Sequence, residues 1–180
     1  MEYSYKSTRL RIYRGDITES DVDAVVNAAN STLLGGGGVD GAIHRAAGPR
    51  LHQECLMIRA SGGPCRTGKA VITSGGNMKA RFIIHTVGPV WFDHTAEEAD
   101  RLLADCYRNS LALAVQNSIR TIAFPAISTG VYGFPKDRAA RIAVQTVREW
   151  IDGNPDAIRE IAFVCFDEDT EKLYIRQMEI

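Results

Sequence analysis

Asn27-Ala28-Ala29-Asn30-Ser31-Thr32-Leu33-Leu34-Gly35-Gly36-Gly37-Gly38-Val39-Asp40-Gly41 is the stretch from which this chain is best read. The short apolar run Ala24-Val25-Val26 leads into it as a strand, and Val39, Ala42, Ile43, Ala46 and Ala47 leave it on one helical face. Strand, glycine loop and helix in that order form a unit of α/β architecture. Glycine tolerates positive φ and has no side chain, so four in succession let backbone N–H groups close around a ligand. At a helix N-terminus such donors favour an anion, above all a phosphate. Two carboxamides before the glycines and a carboxylate after them suggest chemistry on a phosphorylated sugar.

The alternation of strand and helix continues on both sides. Leu10–Arg14 alternates with period two and runs into Gly15-Asp16. Pro49 fits the first turn of a helix with Leu51, Cys55 and Ile58 on one side. Val71-Ile72-Thr73 and Phe82–Val87 read as strands, and Thr95–Ser118 as a long amphipathic helix. Thr121–Pro125 is a further strand that opens into a second glycine loop, Ser128-Thr129-Gly130-Val131-Tyr132-Gly133. Asp137 is placed to cap the helix that follows. Ile161–Phe166 has the unbroken apolar character of a strand covered on both faces, and a last helix begins near Asp169. The pattern predicts one domain over residues 1–180, a three-layer α/β/α sandwich around a mixed, mostly parallel sheet. Ligands of such sheets bind outside the carboxyl ends of the strands. Both glycine loops fall there, and two phosphate-contacting loops on one cleft suit a diphosphate.

The bulk properties narrow the function further. With 180 residues, 45% apolar and 24% charged, the chain is ordinary for a globular protein with one substantial core. A net charge of −1 and a pI near 6.4 give no global signal for nucleic acid. Met1–Leu10 shows no secretory h-region, and no stretch has the apolar length of a membrane span. Cys55, Cys65, Cys106 and Cys165 lack CxxC spacing and read as reduced thiols. A cytoplasmic monomer without a structural metal is the expectation.

Gly36–Gly41 satisfies GxGxxG only formally. Several residues separate the glycines from the strand, and no acidic residue follows about twenty positions on in the expected place. The absence of GK[ST] removes the P-loop reading. The longer pattern is more specific. Val26-Asn27-Ala28-Ala29-Asn30, the four glycines and Ile127–Gly133 together resemble the macrodomain family, which binds ADP-ribose. Gly15-Asp16-Ile17-Thr18 and His85-Thr86-Val87-Gly88-Pro89 fit the same pattern, so the resemblance spans about Leu10 to Leu173. Asp40 within Gly-Gly-Gly-Gly-Val-Asp-Gly-Ala-Ile-His-Arg-Ala-Ala-Gly is similar to the MacroD-type subgroup, which includes bacterial O-acetyl-ADP-ribose deacetylases.

That resemblance implies roles for particular residues, each with a plainer competitor. Asp16 accepts a hydrogen bond from the adenine amino group, with the Ile17 backbone beside it; the competitor is a capping carboxylate. Asn30 contacts the distal ribose, where a carboxamide offers donors and an acceptor, while Asn27 braces the loop. Gly37, Gly38 and Val39, with Ser128, Thr129, Gly130, Val131 and Tyr132, supply backbone donors to the diphosphate, and Tyr132 covers the distal ribose. Phe166, half core, stacks beside adenine.

Asp40 orients and partly deprotonates a water aimed at the ester carbon. The helix dipole weakens it as a base, whereas a bound diphosphate strengthens it. His44, one helical turn later on the same face, is the third catalytic candidate beside Asp40 and Asn30, with packing as its alternative. His85, inside an apolar strand, reads as a satisfied core histidine. The expected function is hydrolysis of ADP-ribosyl esters, either O-acetyl-ADP-ribose or mono-ADP-ribose on acidic side chains of proteins. No metal or cofactor is implied, and no membrane or nucleic-acid partner. A non-catalytic ADP-ribose reader and an ADP-ribose 1″-phosphate phosphatase are the alternatives.

Overall fold

A computed structural model describes all 180 residues, Met1–Ile180. Seven strands form one sheet: β1 (Glu2–Tyr5), β2 (Thr8–Arg14), β3 (Ala24–Ala29), β4 (Ala70–Ser74), β5 (Phe82–Val87), β6 (Thr121–Phe124) and β7 (Glu160–Cys165). Their order is β1-β2-β7-β6-β3-β5-β4. The five central strands are mutually parallel, and β1 and β4 close the edges antiparallel to β2 and β5. The helices are α1 (Gly38–Ala47), α2 (Pro49–Gly62), α3 (Ala96–Gln116), α4 (Lys136–Gly153) and α5 (Glu168–Met178).

Alternation along each strand divides the interior into two cores. Ala24, Val26, Ile84, Ile122, Phe124, Ile161 and Phe163 face α3, α4 and α5. Val25, Ala29, Ile83, Val87, Ala123, Ala162 and Val164 face the opposite way, toward Ile43 and Ala47 of α1 and Leu51 and Cys55 of α2. A strand side chain that changes parity changes core, so the apolar pattern pins the register. The expected three-layer α/β/α sandwich is the observed architecture, and every residue of β7 is buried. No helix is long and apolar enough to cross a membrane.

Local chemistry sets most boundaries. Thr95 caps α3 by accepting from the Glu98 N–H at 3.2 Å, and Asp167 caps α5 by accepting from the Thr170 N–H at 2.8 Å. Asp137 does not cap α4. It lies inside the first turn, after Pro135 at the N-cap, where its charge still suits the dipole. Two strands exceed the apolar pattern: β1 forms without one, and β3 continues past Asn27 to Ala29.

Because the five parallel strands share one direction, their carboxyl ends share one edge. Gly15-Asp16 leaves β2, Phe166 leaves β7, the Ser128 loop leaves β6, the Asn30 loop leaves β3 and Gly88 leaves β5. The candidate residues are thus gathered along one rim of the sheet.

Candidate active site

The first loop is anchored rather than loose. Leu33, at φ +62°, is buried in the α1–α2 core, and its N–H donates to the Asn30 carbonyl at 3.2 Å. Its glycines answer to close packing. A Cβ on Gly41 would lie 2.4 Å from the Gly36 carbonyl oxygen, so loop and helix approach to a distance only glycine permits. Gly38 begins α1 at φ +59°, and a Cβ on Gly37 or Gly38 would meet no atom within 4 Å. Helix α1 has no side-chain cap. The first N–H groups of the helix, those of Gly38, Val39 and Asp40, therefore lack side-chain acceptors and lie at the positive end of the helix dipole.

The second loop is held just as firmly. Ser128 adopts φ +68°, its carbonyl accepts from the Phe134 N–H at 3.0 Å, and the Thr129 hydroxyl donates to the Ala126 carbonyl at 3.2 Å. The Tyr132 carbonyl accepts from the Trp91 N–H at 2.9 Å. With carbonyls turned inward, the N–H groups from Thr129 to Tyr132 make no bond within the protein. Both loops leave parallel strands at the same sheet edge, and each presents backbone donors of the kind that suit phosphate oxygens.

Asp40 is buried at the foot of α1. Its Oδ1 accepts from Asn27 Nδ2 at 2.8 Å and lies 3.4 Å from His44 Nε2. Its Oδ2 is buried and has no hydrogen-bond partner, and it faces the first loop: a Cβ on Gly36 would be 3.1 Å from Asp40 Oδ2 and 3.2 Å from Asn30 Nδ2. His44 Nε2 and Ser128 Oγ are also buried without partners. The structure thus brings Asn30, Asp40 and His44 together. Asn30 is more constrained than its sequence reading. Its Oδ1 accepts from the Thr32 N–H and hydroxyl at 3.1 and 2.5 Å, and its Nδ2 donates to the Gly35 carbonyl at 3.0 Å. Only one N–H remains for a ligand, so Asn30 can serve as a donor and no longer as an acceptor.

At the other end of the rim, Asp16 does cap. Its Oδ1 accepts from the Thr18 N–H at 2.9 Å and the Thr18 hydroxyl at 2.7 Å, starting a short 3-10 helix, Ile17–Glu19. The Oδ2 is left over, so capping and ligand contact are compatible. Phe166 is not half core: it follows the last residue of β7 and is 92% exposed. The register Arg14↔Cys165 and the bond from the Gly15 N–H to the Cys165 carbonyl at 3.2 Å set it beside Asp16. An aromatic this exposed next to a free carboxylate oxygen suits a flat heterocycle bearing an amino group. Ile17 is buried, so only its backbone can contribute. Val131 is fully exposed and Tyr132 half-buried at the other side of the cleft.

Two residues carry more than the sequence suggested. Asn27, read as a loop brace, donates from the one Nδ2 to Asp40 and, at 3.1 Å, to Nδ1 of His85. His85 is satisfied and buried as expected, but its partner is the group that holds Asp40. The signal was a polar side chain inside each of two apolar strands, and β3 and β5 pair these residues directly, Asn27↔His85.

An α/β sandwich that gathers two glycine loops, an exposed aromatic and a buried carboxylate with one free oxygen along one sheet edge has the layout of a nucleotide-binding domain. The chain belongs to the Macro domain family, whose model matches residues 26–143. An O-acetyl-ADP-ribose deacetylase of Escherichia fergusonii is 57% identical over 169 residues, covering 94% of each chain. The macrodomain of Oceanobacillus iheyensis, solved with ADP, is 44% identical and superposes with a TM-score of 0.94 over 99% of this chain and 94% of its own. The Trypanosoma brucei macrodomain, solved in complex with ADP-ribose, is 44% identical with a TM-score of 0.85, over 94% of this chain and 68% of its own.

Proposed function

We propose that this macrodomain hydrolyses ADP-ribosyl esters, with Asp40 activating the water. One observation carries the reading: a buried carboxylate with one oxygen held and the other open toward the loop that binds the distal sugar. An unpaired buried carboxylate oxygen is costly to maintain, and a site of that kind is poised for a ligand. The ligand lies along the rim. Adenine rests on Phe166 with its amino group on Asp16 Oδ2, and the diphosphate spans the N–H rows of Gly37–Asp40 and Ser128–Tyr132. The distal ribose takes the remaining N–H of Asn30 and is covered by Tyr132. A water on Asp40 Oδ2 attacks the ester carbon and passes a proton to the carboxylate; the C–O bond to the ribose breaks, and that proton returns to the leaving ribose oxygen. The products are the free acid and ADP-ribose. His44, 3.4 Å from Asp40 Oδ1, supports the carboxylate from its own helix.

The family relationship and the relatives named as deacetylases support the activity. The same pocket accommodates an ester on an aspartate or glutamate of a modified protein, so mono-ADP-ribosylated proteins are substrates in this reading. We place the chain in the cytoplasm as a monomer. Three substrates compared side by side test the proposal: O-acetyl-ADP-ribose, ADP-ribose 1″-phosphate and a protein mono-ADP-ribosylated on acidic residues. Acetate release and protein demodification are expected. Tight ADP-ribose binding with no ester turnover would make the domain a reader, and turnover of the phosphate alone would make it a phosphatase.

A further inference from the structure

Beneath Asp40 runs a chain of hydrogen bonds whose directions are all determined. Thr73 Oγ1 donates to the Ser74 carbonyl at 3.1 Å, so its lone pair must accept from His85 Nε2 at 2.9 Å. The Asn27 Nδ2 can only donate, so His85 Nδ1 must be the bare nitrogen that receives it. His85 is therefore the neutral Nε2–H tautomer. Complete burial, with His44 nearby, pushes its pKa down to about 3, which keeps it neutral at any working pH. The Asn27 amide spends one N–H on His85 and the other on Asp40 Oδ1. Its Oδ1 is buried with no partner, so nothing on the oxygen side fixes which way the amide faces. If the amide turned over, its oxygen would face both the bare Nδ1 of His85 and the Asp40 carboxylate, two repulsive contacts.

We propose that His85 is a positioning residue for ester hydrolysis: Thr73 fixes its tautomer, its bare Nδ1 fixes the Asn27 amide, and the amide holds Asp40 with one oxygen turned to the water. The inference rests on Asp40 being the group that activates the water. Strand geometry makes the chain possible. Asn27 and His85 are register partners on β3 and β5, and both point into the layer that holds α1. Thr73 stands on the edge strand β4, outside the cleft and linked to Asp40 only through His85 and Asn27.

The test measures kcat on O-acetyl-ADP-ribose and the Kd for ADP-ribose in His85→Leu, His85→Asn, Thr73→Val and Thr73→Ser, beside Asp40→Ala. A hydrogen bond to a charged group governs roughly tenfold to a hundredfold in a rate that depends on it. His85→Leu should lower kcat by about that factor while Kd stays within about threefold, because the phosphate and adenine contacts lie elsewhere. His85→Asn places a carbonyl oxygen near the lost Nδ1 and should recover most of kcat. Thr73→Val should lower kcat severalfold and Thr73→Ser should not; this pair carries the test if His85→Leu does not fold. Wild-type kcat in both His85→Leu and Thr73→Val, with turnover lost in Asp40→Ala, overturns the inference alone. Equal losses in His85→Leu and His85→Asn reduce His85 to packing and overturn it as well. Turnover that survives Asp40→Ala overturns the underlying reading, and the inference with it.

Discussion

The two ends of the parallel strands are built on opposite rules. At the amino ends, charged groups surround a hollow of about 620 Å³ lined by Arg9, Arg11, Asp23, Arg81, Arg159 and Glu160 among others. Two of the acids there are paired. Asp23 Oδ2 accepts from the backbone N–H groups of Arg120 and Thr121 at 2.8 and 3.2 Å, and Glu160 takes Arg9 at 2.9 Å and Arg11 at 3.6 Å. At the carboxyl ends, Asp40 Oδ2, His44 Nε2 and Ser128 Oγ are buried and unpaired, and two rows of N–H groups have no acceptor. The density of charge points to the amino end. Unsatisfied hydrogen-bonding capacity chooses the other, because a folded chain tolerates buried unpaired groups chiefly where a ligand completes them.

Acid should press hardest on the carboxyl edge. His85, beneath that edge, has its folded pKa depressed from 6.5 to about 3 by burial. The unfolded chain then binds more protons between those values, so stability is full above about pH 6.5 and falls as pH drops toward 3. The slope approaches about 1.4 kcal/mol per pH unit, so moving from pH 7 to pH 5 should cost roughly 2 kcal/mol from this group. Urea unfolding at both pH values checks it: His85→Asn should show a shallower dependence, and an unchanged slope contradicts the assignment.

At the amino edge, Asp23→Ala should cost about 1–2 kcal/mol by stranding two backbone donors, a fall in Tm of about 3–6 °C, with ADP-ribose affinity unchanged. Burial would raise the pKa of Asp23, but the Arg120 and Thr121 N–H groups and Arg81 outweigh it and hold the carboxyl below its usual range. The stability it adds is present above pH 3.8 and is lost as pH falls through its folded value. Phe166→Ala should do the reverse. Removing a ring that is 92% exposed leaves Tm unchanged and weakens ADP-ribose binding about threefold to tenfold, measured by calorimetry. Loss of affinity in Asp23→Ala, or of stability in Phe166→Ala, would erase the distinction between the two edges.

Most of the architecture is legible in the sequence because it follows from period and punctuation. Short unbroken apolar runs, and the alternation of Leu10–Arg14, locate the central strands, and two of them open into the glycine loops. Glu2–Tyr5 escapes because an edge strand of mixed exposure carries no apolar signature. Asp137 misleads because a first-turn acid and a cap look alike until the Pro135 N-cap is seen. Within the site, the residue types are readable but not how their atoms are committed. Nothing in the sequence shows that Asn30 spends its oxygen on Thr32, or that Asn27 and His85 pair across β3 and β5, since that depends on strand order. Phe166 lies one position past the end of β7, and a residue continuing an apolar run belongs to the core only while the strand lasts.

Asp40 bears the most weight in the proposed chemistry, and one comparison of rates with affinities tests it. Asp40→Ala should reduce kcat on O-acetyl-ADP-ribose by about a hundredfold to ten-thousandfold. The Kd for ADP-ribose should stay within about threefold, because the donors of both loops remain in place. A variant that hydrolyses the ester at the wild-type rate, or that loses affinity in step with rate, would contradict the role assigned to this carboxylate.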